Sequence, residues 1–479
     1  MSDIRPNLIG GEWVTTTEAI DDINPSDTDD LVGSFSRGTA ADVDRAVEAA
    51  RSAQREWVRI GLDDRARILE SIGAEMFARR EELGTLLSRE QGKTRVEGIG
   101  EASRAASIFR FFAGEVLRPD GLAVPSVRPG VEVQVQREAL GVVGVITPWN
   151  FPLAIPAWKI APALAHGNGV VWKPAELVPA SAWEIADIVH RAGVPKGLLN
   201  LIVGPGREVG QAIADHEGID GVTFTGSTAV GRGVAAATAA RLCRVQLEMG
   251  GKNPLVVLDD ADFDRAVEAA VQGSFYSTGQ RCTASSRILV TPGLHDRFVD
   301  AFAARADALV VGHALDASTQ IGPAVSAAQL QQDLEYIAIG RSEGATLVAG
   351  GTSPTCATPG HYIRPTVLAG ATNDMRISRE EIFGPVAAVI PVADLDEAIA
   401  VANDTPYGLT AGICTTSLAA ASKFRREAQV GMVMVNLPTA GVDFHVPFGG
   451  RKASNLGPRE QGRMAMEFYT AVKTTYTAP

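Results

Sequence analysis

Six short apolar runs decide the fold: 141–147 (GVVGVIT), 169–173 (GVVWK), 198–203 (LLNLIV), 221–225 (GVTFT), 245–249 (VQLEM) and 254–258 (PLVVL). Helical patterns lie between them near 180–192, 206–215 and 229–240. Strands alternating with helices at this spacing predict βαβ units and a parallel sheet. Upstream, residues 39–118 have helical periodicity, with long amphipathic runs such as 65–90. Residues 132–136 (EVQVQ) alternate polar and apolar, as a half-exposed strand would. Three segments look alike: ADVDRAVEAA (41–50), ADFDRAVEAA (261–270) and ADLDEAIAVA (393–402). Each offers an aspartate (Asp42, Asp262, Asp394) as a helix N-cap ahead of an apolar stripe. The last two follow the strand candidates PLVVL and VAAVI, so residues 251–450 also read as α/β.

The chain has 479 residues, a length that suggests about three domains. At 46% hydrophobic and 21% charged it has ordinary globular usage, with ample core and no need of a disulfide or metal staple. Lys+Arg 44 against Asp+Glu 56 gives −12, which argues against a general polyanion binder, so no nucleic-acid partner is expected. Cys243, Cys282, Cys356 and Cys414 lie far apart, without CxxC or zinc-like spacing. No metal is expected, and the usage fits a reducing, cytoplasmic location. Residues 139–158 carry no charge, but Pro148, Pro152 and Pro156 exclude a membrane helix there. That stretch reads as a buried strand running into an irregular loop, and no apolar signal segment opens the chain.

Several residues carry chemical potential. Gly204-Pro-Gly206-Arg-Glu-Val-Gly210 misses the dinucleotide fingerprint by one residue and reads as a turn and helix start. FTGSTAVGR (224–232) is a better phosphate site, because Gly226 and Ser227 turn from a strand into a helix whose free N–H groups could meet a pyrophosphate. The same glycines would serve packing alone. Cys282 lies in the polar stretch TGQRCTASSR, where Gly279 lets the backbone approach something closely; it is either a small buried apolar residue or a nucleophile whose thiolate a nearby cation such as Arg281, or a helix start, would favour. Glu248, between Leu247 and Met249, is either a satisfied buried ion pair or a general base made more basic by desolvation. Asn150, between two prolines in TPWNFP, either caps its loop or offers its NH₂ to an oxyanion. Lys173-Pro-Ala-Glu176 follows a strand at the end where open α/β sheets bind ligands.

Together with these residues, seven motifs occur in one order: PWNFP (148–152), KPAE (173–176), FTGS (224–227), LEMGGKNP (247–254), GQRC (279–282), EEIFGPV (380–386) and PFGG (447–450). On them the chain resembles the aldehyde dehydrogenase superfamily over nearly its whole length. The resemblance implies an α/β fold with a Rossmann-like NAD(P)-binding domain (1–120 and 140–250), a second α/β catalytic domain (251–450) and a small β oligomerisation arm (121–139 and 466–479). It makes Cys282 the nucleophile, Glu248 the base for the hydrolytic water, and Asn150 with the Cys282 N–H the oxyanion hole. Thr147, Trp149, Lys173, Glu176, Gly226, Ser227, Gly231, Met249, Glu381 and Phe383 become cofactor contacts. Glu176 would accept from ribose hydroxyls and repel a 2′-phosphate, which favours NAD, with NADP possible.

The implied partner is a small aldehyde bearing a carboxylate. Residues 439–462 and 150–164 resemble most the subgroup acting on 2-oxoglutarate semialdehyde (2,5-dioxopentanoate), with succinic semialdehyde as the alternative. A carboxylate needs a cation in the pocket, and Arg281 is the first candidate, its alternative being a structural ion pair. Trp158, Phe444, His445 and Phe448 are expected to line the same pocket. A homodimer or homotetramer is expected, with EVQVQ and the terminal strand 468–477 pairing across subunits. A silent dinucleotide-binding protein and a cofactor-free cysteine hydrolase are the readings outside this chemistry.

Overall fold

In the computed structural model, residues 4–118 and 121–478 are described. Five of the six apolar runs form the parallel centre of an eight-stranded sheet, and the sixth starts a seven-stranded one. The first sheet runs Arg244–Glu248, Gly221–Thr225, Val142–Ile146, Gly169–Lys173 and Leu199–Leu201, all parallel. Antiparallel strands flank it: Asn455–Leu456 at one edge, Asn7–Ile9 and Glu12–Val14 at the other. The central strands are apolar on both faces because both are covered. Val142 and Ile146 pack with helices Ala40–Trp57 and Thr228–Ala240, while Val143 and Val145 enter the core shared with the helices of residues 62–115 and 154–191.

The second sheet takes the order Thr346–Ala349, Thr366–Ala369, Val386–Pro391, Ser285–Val290, Asn253–Val257, Thr410–Cys414, Met432–Val435. All its pairs are parallel except the first. It too has two faces, with Leu255 and Val257 on one core and Val256 on the other. Between Glu248, in the first sheet, and Asn253, in the second, the chain passes Gly250 and Gly251.

Several local readings are corrected. The run 65–90 is two helices, Leu62–Ala78 and Arg80–Gln91, broken at Arg79. Asp262 and Asp394 do cap their helices, but Asp42 sits at the third helical position and closes a capping box with the true N-cap, Thr39. The irregular loop expected after residue 147 is present and ends at helix Ala154–Ala165, which holds Pro162 within it. The strands Ala19–Ile23 and Leu31–Ser36 escaped the apolar pattern, because hairpins this polar carry little periodicity. Glu132–Ala139 pairs in continuous antiparallel register with Thr470–Thr477 of the same chain, from Thr470↔Ala139 to Thr477↔Glu132. Leu122–Pro125 completes this three-stranded arm.

Candidate active site

The parallel centre of the first sheet reverses its winding between Val142–Ile146 and Gly221–Thr225, which are neighbours. A crevice is expected beyond the carboxyl ends of two such strands. A cavity of about 480 Å³ opens there, walled by Pro148, Trp149 and Asn150 after one strand and Thr225–Ala229 after the other. Ser227 caps helix Thr228–Ala240, its Oγ accepting from Val230 N at 3.4 Å. Gly226 and Gly231 allow close packing: a Cβ at either would come 2.5 Å from the Phe224 ring or from Met249 Sδ. The loop ahead of Val386–Pro391 brings Glu381 and Phe383 to the opposite wall. Phe383 holds a left-handed φ of 65° and meets the Trp149 ring edge-on at 5.3 Å.

The Glu381 carboxylate accepts from Gly251 N at 2.8 Å, and a Cβ at Gly250 would collide with it. Burial pushes its pKa up to about 7. Among the described residues no cation lies within ion-pair distance of it, and the Thr225 hydroxyl is buried without a hydrogen-bond partner. Free helix-terminal N–H groups, a buried unpaired carboxylate and an aromatic wall fit a dinucleotide's diphosphate, ribose and ring.

Lys173 and Glu176 stand outside this wall. Lys173 Nζ bonds to Pro174 O at 2.8 Å and lies 4.0 Å from Glu176, with burial lowering its pKa to about 8. Glu176 accepts from Gly206 N at 2.9 Å, so the near-miss glycine run packs against the KPAE segment. The Thr147 hydroxyl accepts the Trp172 indole N–H at 2.9 Å, behind the residues that wall the cavity.

Cys282 follows a turn that a sequence pattern cannot show. Ser277 and Thr278 adopt φ values of 54° and 56°, unusual for side chains with a Cβ, and Gly279 follows at 65°. The turn is held from outside. Glu97 Oε1 accepts from Ser277 N at 2.8 Å and Ser277 Oγ at 2.9 Å, and Thr278 Oγ1 donates to Gly322 O. Arg281 joins this scaffold, its Nη2 donating to Glu97 at 3.0 Å and to Ser277 Oγ at 2.8 Å. The Arg281 guanidinium is therefore paired with Glu97, the ion pair weighed against its role as substrate cation. Desolvation, with Glu381 and Glu248 nearby, pushes the Cys282 thiol up to about 12.

Asn150 is buried and donates from Nδ2 to Gln280 O at 3.1 Å, which leaves its second N–H free. Sequence reasoning missed what holds it. Lys93 Nζ donates to Asn150 O at 2.6 Å, pairs with Glu101 at 2.6 Å and sits 3.6 Å over the Phe151 ring. Glu101 in turn accepts from Leu153 N and Ala154 N. No local motif marks this pair, because its partners are 52 and 57 residues away.

Glu248 ends its strand buried, accepting from Asn455 Nδ2 at 2.7 Å, while its Oε2 has no partner. Desolvation and Glu460 raise its pKa well above the ordinary carboxylate value. It borders neither cavity in this orientation. A second buried pair missed in the sequence, Lys159 and Glu460, lies close enough to act on it electrostatically.

A second cavity of about 210 Å³ lies on the other side of Cys282, which borders both. Its walls include Phe151, Trp158 and Phe448, and the last two stack at 5.3 Å. Phe444 and His445 stand outside these walls. Phe444 packs on Phe111 at 6.3 Å against the first core, His445 is exposed, and neither lines this cavity.

Residues 13–475 match the aldehyde dehydrogenase family, and the chain belongs to it. It is 43% identical over 477 residues to an alpha-ketoglutaric semialdehyde dehydrogenase of Bacillus subtilis, covering 99% of this chain and 98% of that protein. An alpha-ketoglutarate semialdehyde dehydrogenase of Haloferax volcanii is 44% identical, with 99% of each chain covered. Among solved structures, betaine aldehyde dehydrogenase of Staphylococcus aureus in complex with NAD+ superposes with a TM-score of 0.96 at 34% identity, over 99% of this chain and 95% of that one. The chain is thus an aldehyde-oxidising enzyme of mixed α/β fold.

Proposed function

We propose that the protein oxidises 2-oxoglutarate semialdehyde to 2-oxoglutarate with NAD, through a covalent Cys282 intermediate. The observation that carries the reading is that two cavities of different character meet at Cys282. The names of the B. subtilis and H. volcanii relatives support the substrate, and the S. aureus complex supports the cofactor. Residues 1–120 and 140–250 would form the dinucleotide-binding domain and 251–450 the catalytic domain.

In this reading the thiolate adds to the aldehyde carbon from the smaller cavity. The new oxyanion is met by the free N–H of Asn150 Nδ2 and the Cys282 main-chain N–H. Bound NAD would supply the hydride acceptor, and its nicotinamide cation would offset the Glu381 and Glu248 charges that add to desolvation in keeping the thiol protonated. Thr225, Gly226, Ser227 and the start of helix Thr228–Ala240 would hold the diphosphate, Glu381 a ribose, and Trp149, Met249 and Phe383 the ring side. Glu248 rotates away from Asn455, takes a proton from water, and the hydroxide releases the thioester as the acid. Its raised pKa suits a base at neutral pH.

The four cysteines are unpaired, which supports a cytosolic setting. The arm exposes Leu122, Val124, Val472 and Tyr476, which supports a homodimer or homotetramer built on it. Kinetics with an aldehyde panel, run with NAD and NADP in parallel, test the function. 2-Oxoglutarate semialdehyde with NAD should give the highest kcat/KM, and a choline-derived or aromatic aldehyde in first place would overturn the substrate.

A further inference from the structure

The smaller cavity has a cation that the sequence motifs do not mark. Arg104 rises from helix Arg95–Glu115 into its wall, opposite the stacked Trp158 and Phe448 and beside Cys282. Its guanidinium makes one hydrogen bond, from Nη2 to the neutral amide of Gln461 at 3.1 Å, and its enclosed Nε has none. Among the described residues no carboxylate lies within 4 Å of it. The carboxylates acting on it from farther away are Glu101, already tied to Lys93, and Asp443, which is exposed. The contrast with Arg281 is direct, since the two arginines line one cavity and only Arg281 is neutralised by a carboxylate, Glu97 at 3.0 Å.

A guanidinium drawn out of water without a counter-charge is costly unless a ligand completes it. Arg is suited to that ligand being a planar carboxylate, which its fork of donors meets with two oxygens. Trp158 Nε1 also lacks an acceptor in the structure. We propose that Arg104 is the specificity-determining residue that binds the distal carboxylate of the aldehyde substrate, with Arg281 holding the nucleophile's turn instead; the inference rests on the substrate reading above. The aldehyde end reaches Cys282 along the wall that Trp158 and Phe448 form, and the acidic end reaches Arg104.

The test compares 2-oxoglutarate semialdehyde with pentanal, which has the same chain length and no charge, in wild type, Arg104→Met, Arg104→Lys and Arg281→Met. Loss of one charge-assisted contact should cut kcat/KM of Arg104→Met for the acidic aldehyde by about 10- to 100-fold, mainly through KM, and change pentanal less than about threefold. Pentanal turnover also reports that the variant is folded. Arg104→Lys should fall between wild type and Arg104→Met, since it keeps the charge and loses the fork. Arg281→Met should lower both substrates alike. An acidic preference that survives Arg104→Met, equal losses on both aldehydes, or a selective loss in Arg281→Met would each overturn the inference alone. A wild-type enzyme that does not prefer the acidic aldehyde would overturn the substrate reading itself.

Discussion

The two cavities that meet at Cys282 are built differently. One wall of the larger one is built from turns at the end of a sheet: Pro148–Asn150, Thr225–Ala229 and Gly250 are short contiguous pieces at the ends of their strands, with Glu381 and Phe383 facing them. The smaller one is assembled from side chains scattered through the chain, from Arg104 on a helix to Phe448 near the end. A site of the first kind is dictated by topology and suits a ligand shared by many enzymes. One of the second kind can change its ligand by exchanging a single side chain, which is what substrate choice requires.

The first way to break this comparison is to remove the residue common to both cavities. Cys282→Ala should lower aldehyde oxidation at least about 1,000-fold while NAD affinity, read by fluorescence titration, stays within about twofold. Residual turnover of a tenth would mean that the cavities share a wall and no chemistry. The next largest effect separates hydride transfer from hydrolysis. Glu248→Gln should slow steady-state turnover about 100- to 10,000-fold while keeping the NADH burst. A burst lost in step with turnover would place Glu248 earlier in the reaction.

Lys93→Met addresses the wall between the cavities. Breaking a buried ion pair costs about 3–5 kcal/mol, so its melting temperature should fall clearly and kcat should drop with Asn150 released. A variant as stable as wild type would remove Lys93 and Glu101 from the account.

A smaller, graded effect concerns the thiol. Because the Cys282 pKa is raised, to about 12, the neutral form dominates at pH 7 and the reactive thiolate grows as pH rises. Alkylation of cofactor-free enzyme by iodoacetamide should therefore quicken about tenfold per pH unit between 7 and 9. A rate already at its plateau by pH 7 would show a depressed thiol pKa. Smallest of all, Glu176→Gln should raise the NADP to NAD ratio of kcat/KM a few-fold, about the size of one exposed charge effect. No change would leave Glu176 to its bond with Gly206 N alone.

What was legible in the sequence follows the same division. The strands, the switch-point turns and the residues at Cys282, Glu248 and Asn150 lie in contiguous motifs, and their places follow from strand–turn–helix geometry. Arg281 was legible as a cation beside the nucleophile but not as Glu97's partner, because 184 residues separate the two. Arg104, Lys93–Glu101 and Lys159–Glu460 carry no local pattern, and only packing brings them to the site. Phe444 stands near the PFGG motif, yet its ring packs against the first core, a contact no local pattern marks. The arm was legible as two alternating strands, but their pairing within one chain was not, since alternation fixes a face and leaves the partner open.

The central claim is that Cys282 carries the acyl group between the two cavities. Intact-protein and peptide mass spectrometry of Glu248→Gln, quenched after mixing with NAD and 2-oxoglutarate semialdehyde, tests it most directly. The account predicts one acyl adduct per chain, mapped to Cys282, appearing with the NADH burst. NADH formed with no adduct on Cys282, or an adduct on Cys243, Cys356 or Cys414 in its place, would contradict it.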